Sequence, residues 1–480
     1  MQKDELRRKV QSSLIWKFLE RGGVSGGALL VQIVMARLLM PEDFGALAIM
    51  LVFVLVGTTF SVSGFNTALV QVKDLKQEDY STVFWISLTT ATVLWAGLFV
   101  GAPWIARAFS LPAMTNPLRA MGALFVLHSV YAILTADVQR NLAFKRVFKA
   151  SAVSLVIASF FGIGAALLGM GLWALVVYQI LNVLVSCLML FAQTNWRPKF
   201  EFSKARAQLL FGFSWKLLVS ALIDVVYGSL SDLIIGKQFS ATSLGFVSQG
   251  KKYPGALVQV LDGAVQPVMF SAVARVQSDR VAVKAVVRRT LKTSLLIVLP
   301  AMALLATVAE PLVVWLLGEK WHDAVIFFQM YCFIYALWPI HTTNLTAING
   351  MGRSDLFLKL ELAKKILGLL ILLITVCLFS SPVAIVVGFM IDGILSAFIN
   401  MFPTWQVIGY HCKEQVKDIF PIAFLSAMCG CICFGVLSCI GLDCFLSTVF
   451  VSVLYFFIFA GLAILFRLEG VVYIWKRLRH

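Results

Sequence analysis

Charged residues are scarce in this sequence. Of its 480 residues only 13% are charged and 60% are apolar, whereas soluble proteins carry roughly 25% charged residues. The mean hydropathy is +0.90, and apolar runs long enough to cross a bilayer recur from one end of the chain to the other. These features exclude a soluble globular protein and predict an all-α polytopic membrane protein.

Sequence signatures of catalysis are also missing. The chain has no G-x-x-x-x-G-K-[ST] phosphate-binding loop and no hydrophilic domain to carry one, which argues against ATP hydrolysis. Its five histidines form no H-E-x-x-H cluster, and no long loop carries paired acids or a nucleophile with its base. We therefore expect no catalytic residues, no metal site and no enzymatic activity.

The nine cysteines mostly lie within apolar runs. Cys429, Cys431 and Cys433 form C-G-C-I-C, in which only Cys429 and Cys433 share a helix face. A metal site would need more ligands that converge on one point. We interpret these cysteines as small apolar residues of a helix.

The apolar runs predict about fourteen transmembrane helices, called spans 1 to 14 here in chain order. With alternate loops assigned to opposite sides, 30 of the 40 Lys and Arg residues share the side of both termini, and 5 lie opposite. The positive-inside rule then places both termini in the cytoplasm. The net charge of +16 reflects topology and contact with membrane lipids, and no nucleic-acid partner is expected. The predicted spans cover 13–39, 44–70, 80–106, 118–138, 148–168, 171–193, 208–235, 243–272, 293–317, 324–348, 360–379, 383–407, 418–440 and 445–466.

The first half of the chain repeats in the second. The Trp-Lys pair at 16–17 recurs at 215–216, and the basic residue and glycine at 37 and 45 recur at 237 and 245. Six helices per repeat predict two parallel six-helix bundles with a substrate site between them. The predicted parts are a first bundle (1–193), a cytoplasmic connector (194–207), a second bundle (208–407) and an extra helix pair with a tail (408–480).

Basic residues inside the spans form one predicted site. A charge at mid-bilayer costs roughly 2.5–3.5 kcal/mol on insertion scales, so such residues usually face a bundle interior or a watery cavity. The alternative is that they lie at the cytoplasmic interface and extend into water. A lumen lined by these cations would suit a phosphate or pyrophosphate head group. The five predicted substrate-binding residues are Lys17, Arg21, Lys216, Lys251 and Lys252.

Four carboxylates also fall within spans. Each could couple transport to a proton or sodium ion, or could pair with a buried cation. Asp224 is the best coupling candidate because it lies on the same helix stripe as Lys216. His128 and His341 are interpreted as packed polar residues. The candidate coupling residues are Asp224, Asp232, Asp262 and Asp392.

Several stretches give the chain a family resemblance. They are A-R-L-L-M-P-E-D-F-G (36–45), F-V-L-H-S-V-Y-A-I-L-T-A-D-V-Q-R-N-L-A-F-K-R (125–146), W-R-P-K-F-E-F-S (196–203), F-G-F-S-W (211–215), P-V-M-F-S-A-V-A-R-V-Q-S-D (267–279) and L-G-E-K-W (317–321). With these stretches the chain resembles the oligosaccharide flippases of the multidrug/oligosaccharidyl-lipid/polysaccharide exporter superfamily, in the branch similar to the colanic acid exporter.

The resemblance implies a flippase in the bacterial cytoplasmic (inner) membrane. Such a protein moves undecaprenyl-pyrophosphate-linked oligosaccharide to the outer leaflet by alternating access, for surface polysaccharide synthesis. It implies the lipid-linked oligosaccharide and the polymerase machinery as partners. We expect a monomer, because the repeat already supplies two bundles, and no bound cofactor. Arg37, Pro41 and Gly45 match a family signature that we interpret as a structural turn into span 2.

Two other functions are compatible with this sequence. A cation-coupled drug or small-solute antiporter would share the fold, but its lumen should be acidic or apolar rather than rich in lysine. A membrane-embedded enzyme of glycan assembly would share the substrate and the location, but it would need a catalytic loop that the sequence does not contain.

Overall fold

The computed structural model describes residues 16–466 apart from 18, 63–76, 142, 195 and 440–442, and it leaves undescribed the side chains of 21, 209–211 and 213. All regular secondary structure in this part of the chain is helical. Two short 3-10 turns, Pro112–Met114 and Glu319–Trp321, lie between helices. The α-helices are Ser25–Leu38, Pro41–Val62, Gln77–Ala108, Thr115–Met121, Ala123–Arg140, Phe144–Leu167, Leu172–Gln193, Lys204–Gln238, Ala241–Arg275, Arg280–Thr307, Ala309–Leu317, Ala324–Ala336, Trp338–Gly350, Ser354–Leu378, Pro382–Met401, Thr404–Ile408, Cys412–Cys439 and Cys444–Leu465.

The predicted all-helical membrane architecture is confirmed. Within the described residues, twelve helices are long and apolar enough to cross a membrane. The two other predicted spans are also helical but more polar or shorter. Span 1 offers only the apolar helix Gly22–Leu38, and span 11 (Ser354–Leu378) carries the charged run Glu361 to Lys365 in its first half. The number fourteen is therefore approximate.

Helix boundaries differ most from the prediction around span 9. The predicted range 293–317 divides into Arg280–Thr307 and the short helix Ala309–Leu317. The helix starts early because Asp279 caps it, with its side chain accepting from the amides of Val281 and Ala282. Hydropathy alone did not include the first turns of Arg280–Thr307 in span 9, because these turns are rich in basic residues. Span 10 is likewise two helices, Ala324–Ala336 and Trp338–Gly350.

Span 1 begins with an unusual turn. Residues Glu20–Val24 form a π-helical segment that leads directly into Ser25–Leu38. Such single π-turns occur frequently at functional sites. Of the small residues here, Gly27 meets a neighbour, because an added Cβ would lie 2.7 Å from Leu155 Cδ2, whereas Gly22, Gly23 and Gly26 have open space. Close packing against a neighbouring helix therefore explains Gly27, while Gly22 and Gly23 lie within the π-helical turn.

The chain forms two compact units, residues 1–245 and 246–480. In the first unit, a core cluster that includes Tyr80, Ile133 and Trp196 joins spans 3 to 6 and the connector. In the second unit, one cluster joins spans 8, 9, 10, 12 and 13, and another joins spans 9, 13 and 14. The predicted domain division at the connector (194–207) stays a prediction.

Two glycines of the repeat make the closest backbone approach in the first unit. A Cβ on Gly45 would lie 1.6 Å from the Ala241 carbonyl oxygen, and a Cβ on Gly245 would lie 2.0 Å from that of Pro41. The two contacts are reciprocal and are related by the 200-residue offset of the repeat. Only glycine lets the starts of spans 2 and 8 cross so closely. This crossing gives a physical reason for the glycine in the signature 36–45.

Candidate substrate site

The first unit contains a polar cavity of about 500 Å³. It is enclosed by the start of span 1, the end of span 2, the end of span 4 and the start of span 5. These are the helix ends that the charge pattern assigns to the cytoplasmic side. The lining residues are Lys17, Glu20, Thr58, Thr59, Val62, His128, Tyr131, Ala132, Thr135, Gln139, Phe144 and Val147.

Lys17 is the predicted site residue that lines this cavity. Its side chain is exposed, and its Nζ lies 5.2 Å from the centre of the Phe144 ring, a cation–π contact. Glu20, one turn further along, places a negative charge in the same cavity. Arg21 lies in the π-helical turn, and its side chain is outside the described residues.

The other predicted cations lie elsewhere in the two units. Lys216 is exposed on span 7 in the first unit, with its Nζ 5.9 Å from the ring of its neighbour Trp215. Lys251 and Lys252 are half-buried in the second unit, within the uninterrupted helix Ala241–Arg275 that contains Pro254. Their predicted role in substrate binding stays a prediction.

The four candidate coupling residues have different surroundings. Asp224 is exposed and Asp232 half-buried on span 7. The carboxylate of Asp262 accepts a hydrogen bond of 2.6 Å from Gln266 Nε2 and borders a small pocket of about 30 Å³. Asp392 accepts a weaker bond, 3.4 Å long, from Ser396 Oγ.

Asp392 lies on a polar stripe of span 12. Asn400, two turns further along this helix, is 3.1 Å through its Nδ2 from Nδ1 of His341 on span 10. Lys364 on span 11 is 2.5 Å from Glu361.

Among the residues described, no group of three or more His, Cys, Asp or Glu side chains could hold a metal ion. The cysteine motif agrees with this, since Cys429 and Cys433 are buried while Cys431 is exposed.

Sequence reasoning overlooked the span 4 wall of the cavity. His128, Tyr131, Thr135 and Gln139 all line it. Their spacings of three and four residues put them on one face of the helix Ala123–Arg140. That polar stripe was visible in the sequence. These residues carry no formal charge, and the prediction of site residues rested on formal charges rather than on uncharged hydrogen-bonding groups.

Comparison with known proteins assigns the chain to a family. Residues 34–326 match the family model described as "Polysaccharide biosynthesis protein". The chain belongs to this family. The match covers spans 2 to 9 in full, and with them most of the cavity wall.

The names of two relatives refer to polysaccharide or lipopolysaccharide biosynthesis. The chain is 26% identical over 314 residues to the succinoglycan biosynthesis transport protein ExoT of Rhizobium meliloti, a region that is 65% of this chain and 64% of that protein. It is 22% identical over 431 residues to the lipopolysaccharide biosynthesis protein WzxC of Escherichia coli, covering 88% and 86% of the two chains.

Solved structures show the same fold at low identity. The lipid II flippase MurJ in an inward closed conformation superposes with a TM-score of 0.73 at 14% identity, over 95% of this chain and 98% of that one. An inward-facing multidrug resistance MATE family transporter gives a TM-score of 0.57 over 79% and 94%. These likenesses confirm the predicted fold, and the family match confirms the predicted kinship with polysaccharide biosynthesis proteins.

Proposed function

We propose that this protein is a flippase for undecaprenyl-pyrophosphate-linked oligosaccharide in a bacterial cytoplasmic membrane, with both termini in the cytoplasm. It carries the head group across by alternating access, for the synthesis of a surface polysaccharide. The family, the transport and biosynthesis names of the relatives and the MurJ-like fold support this proposal. The observation that carries it within the molecule is the polar cavity of about 500 Å³ with Lys17 in its wall.

The cavity has the size and chemistry of a head-group site. Small-molecule sites occupy roughly 300–1,000 Å³, and this cavity lies in that range. Hydroxyl, amide and charged groups cost free energy when they are buried without a hydrogen-bonding partner. A surface that faces only lipid would therefore not carry this set of groups. The lipid tail, in contrast, can stay in the bilayer while the head group crosses.

In this proposal the basic residues attract and hold the pyrophosphate. Lys17, Arg21, Lys216, Lys251 and Lys252 supply the positive charge, because ammonium and guanidinium groups form strong charge-assisted bonds to phosphate oxygens. The protein then works as a carrier and not as an enzyme, and acts as a monomer alongside polymerase machinery. A proton or sodium ion supplies the driving force, with the four span carboxylates as its candidate sites.

The test follows lipid-linked oligosaccharide in a strain that lacks this chain. We expect the oligosaccharide to accumulate on the cytoplasmic leaflet, and the wild-type chain to restore its outward movement. Lys17→Gln should reduce that movement at equal membrane level. Lys145→Gln is the matched control, because Lys145 makes a similar cation–π contact, 5.3 Å from the Trp16 ring, without lining the cavity.

The outcomes separate the competing functions. If the oligosaccharide reaches the outer leaflet without this chain, the flippase proposal is wrong, and drug or solute antiport becomes the next function to test. If Lys17→Gln and Lys145→Gln both behave like the wild type, the flippase proposal stands but Lys17 has no part in holding the head group.

A further inference from the structure

Two of the three threonine hydroxyls that line the cavity, those of Thr58 and Thr135, already use their protons on their own helices. The Oγ1 of Thr58 donates to the carbonyl oxygens of Val54 at 2.8 Å and Leu55 at 3.1 Å. The Oγ1 of Thr135 donates in the same way to Tyr131 and Ala132, both at 2.9 Å. A hydroxyl has a single proton, so each is committed to its own helix. What the two oxygens offer to the cavity is lone pairs.

A ligand that meets these oxygens must bring hydrogen-bond donors. A pyrophosphate presents acceptor oxygens, so it cannot bond to hydroxyls whose protons are already used. A sugar hydroxyl is both donor and acceptor and can bond to them. The amide of Gln139 and the imidazole of His128, in the same wall, can satisfy its remaining groups because each has a donor and an acceptor nitrogen or oxygen.

The charges around the cavity favour the same ligand. Among the described side chains of its lining, the cation Lys17 is accompanied by the carboxylate Glu20. Glu20 offsets the charge of Lys17, whereas a dedicated pyrophosphate site would need an excess of positive charge. A carboxylate also repels phosphate oxygens but accepts readily from sugar hydroxyls. The lining therefore suits an uncharged polyhydroxyl group better than a multiply charged anion.

The cavity also offers ring surfaces. Tyr131 and Phe144 come from spans 4 and 5, and both line the cavity. The C–H face of a pyranose ring is apolar and packs on such side chains, while its hydroxyl edge needs polar partners. Aromatic walls interleaved with uncharged polar groups provide both kinds of contact. A pyrophosphate has no apolar face to place against them.

We propose that the uncharged walls of this cavity bind sugar rings of the translocated head group, and that the pyrophosphate, held by Lys17 and the other cations of the proposed function, makes no contact with Thr58 and Thr135. The inference rests on the proposed flippase function and deepens it, since it assigns one chemical part of the substrate to one set of residues. Thr58, Thr135 and Gln139 then select the sugar, and variation at these positions changes which repeat unit is carried.

The experiment measures binding of two lipids to the purified full-length chain in lipid nanodiscs. One probe is lipid-linked oligosaccharide isolated from the deletion strain, and the other is undecaprenyl pyrophosphate without sugar. The test variant combines Thr58→Val and Thr135→Val, which preserve shape and remove both acceptor oxygens. The matched control is Thr92→Val, because the Thr92 hydroxyl also donates to its own helix, at 2.8 Å from the Leu88 oxygen, but lies outside the cavity.

The double variant should bind the oligosaccharide-bearing lipid about tenfold more weakly, since each lost hydrogen bond weakens binding several-fold. Its affinity for undecaprenyl pyrophosphate should stay within about twofold of the wild type, and the control should match the wild type for both lipids. The difference between the two probes is the readout, so a general loss of folded protein cannot imitate it.

Three results would overturn the proposal. An equal loss for both lipids would place the pyrophosphate, instead of the sugar, against Thr58 and Thr135. No change for either lipid would mean that the cavity does not contact the head group at all. A wild-type chain that binds neither lipid would overturn the flippase function as well, and it is recognised before any variant is compared.

Discussion

Each unit contains a buried ion pair between the third span of its bundle and the helix that follows the sixth span. The two pairs differ in which of these helices carries the carboxylate. In the first unit the carboxylate is on span 3. Asp79 has no exposed side-chain surface, and Arg206 at the start of span 7 contacts both of its oxygens. The connector runs beside them, where Trp85 Nε1 donates to the Lys199 oxygen and the Ser203 amide donates to Thr82 Oγ1.

In the second unit the carboxylate is on the incoming helix and the cations are on span 9. Asp418 of span 13 is 2.6 Å from Arg288 Nε and 2.9 Å from Lys292 Nζ. The Tyr410 hydroxyl donates a third bond to it, at 2.7 Å. A second pair, Lys284 with Glu414, lies one turn away at 2.6 Å.

The comparison indicates that the repeat preserves the position of this contact but not the residues that form it. In both units the helix that follows the sixth span needs an anchor on the third. In the first unit Asp79 contacts the Arg206 guanidinium, and in the second unit Asp418 contacts two cations and a tyrosine hydroxyl. Span 13 is attached through this larger cluster and through the core that it shares with spans 9 and 14.

Removal of the Asp418 charge should have the largest effect. Asp418→Asn removes the carboxylate charge that Arg288 and Lys292 share, and breaking such a buried pair costs about 3 kcal/mol or more of unfolding free energy. The measurement is the unfolding free energy of the purified chain in mild detergent. A loss no greater than that of the more exposed pair variant Glu414→Gln would contradict the prediction.

Asp79→Asn should cost less, about 2 kcal/mol of unfolding free energy. The substitution removes one carboxylate charge from beside Arg206, whose side chain is 27% exposed and can still reach water. The same unfolding measurement compares it with Asp418→Asn. If Asp79→Asn proved the more damaging of the two, the two cations and the tyrosine around Asp418 would not be what distinguishes the two anchors.

Lys292→Met should reduce the second anchor toward the simpler form of the first. Asp418 keeps Arg288 and Tyr410, and the methionine replaces the apolar stem of a side chain that is only 15% exposed. We expect a loss of about 1–1.5 kcal/mol in unfolding free energy. Lys284→Met is the control, because its pair with Glu414 is more exposed and should contribute under about 1 kcal/mol. Equal losses would show that burial has no influence here.

Tyr410→Phe should have the smallest effect, about 1 kcal/mol at neutral pH. Burial, and then the hydrogen bond that it donates to Asp418, raise the pKa of Tyr410 above its ordinary value of 10.0. The unfolded chain therefore loses this proton above about pH 10 while the folded chain keeps it, so wild-type stability declines in that range. The Phe variant should lack this part of the decline, as measured by melting temperatures at pH 8 and 11. A decline as steep as that of the wild type would contradict the assignment.

Much of the fold was predictable because the bilayer imposes it. A chain that crosses hydrocarbon must satisfy its backbone within each helix, so hydropathy alone located the helices in order. Prediction was weaker where charged residues belong to a helix, as at Arg280–Lys292, since hydropathy counts them as loop. The candidate site was half predicted. Lys17 was found by its charge. Thr135 and Gln139 carry no charge and were marked only by the polar stripe of span 4, and Thr58 had no such signal.

The sequence by itself determined the membrane class, the order of the helices, the repeat and the family, because each depends on composition or on spacing along the chain. Only the tertiary structure decided that Glu20 shares a cavity with Lys17, that Thr58 and Thr135 use their protons on their own helices, and that Asp79 meets Arg206 across 127 residues. Such facts depend on which helix faces pack together, and packing joins residues whose separation in sequence carries no trace of their contact.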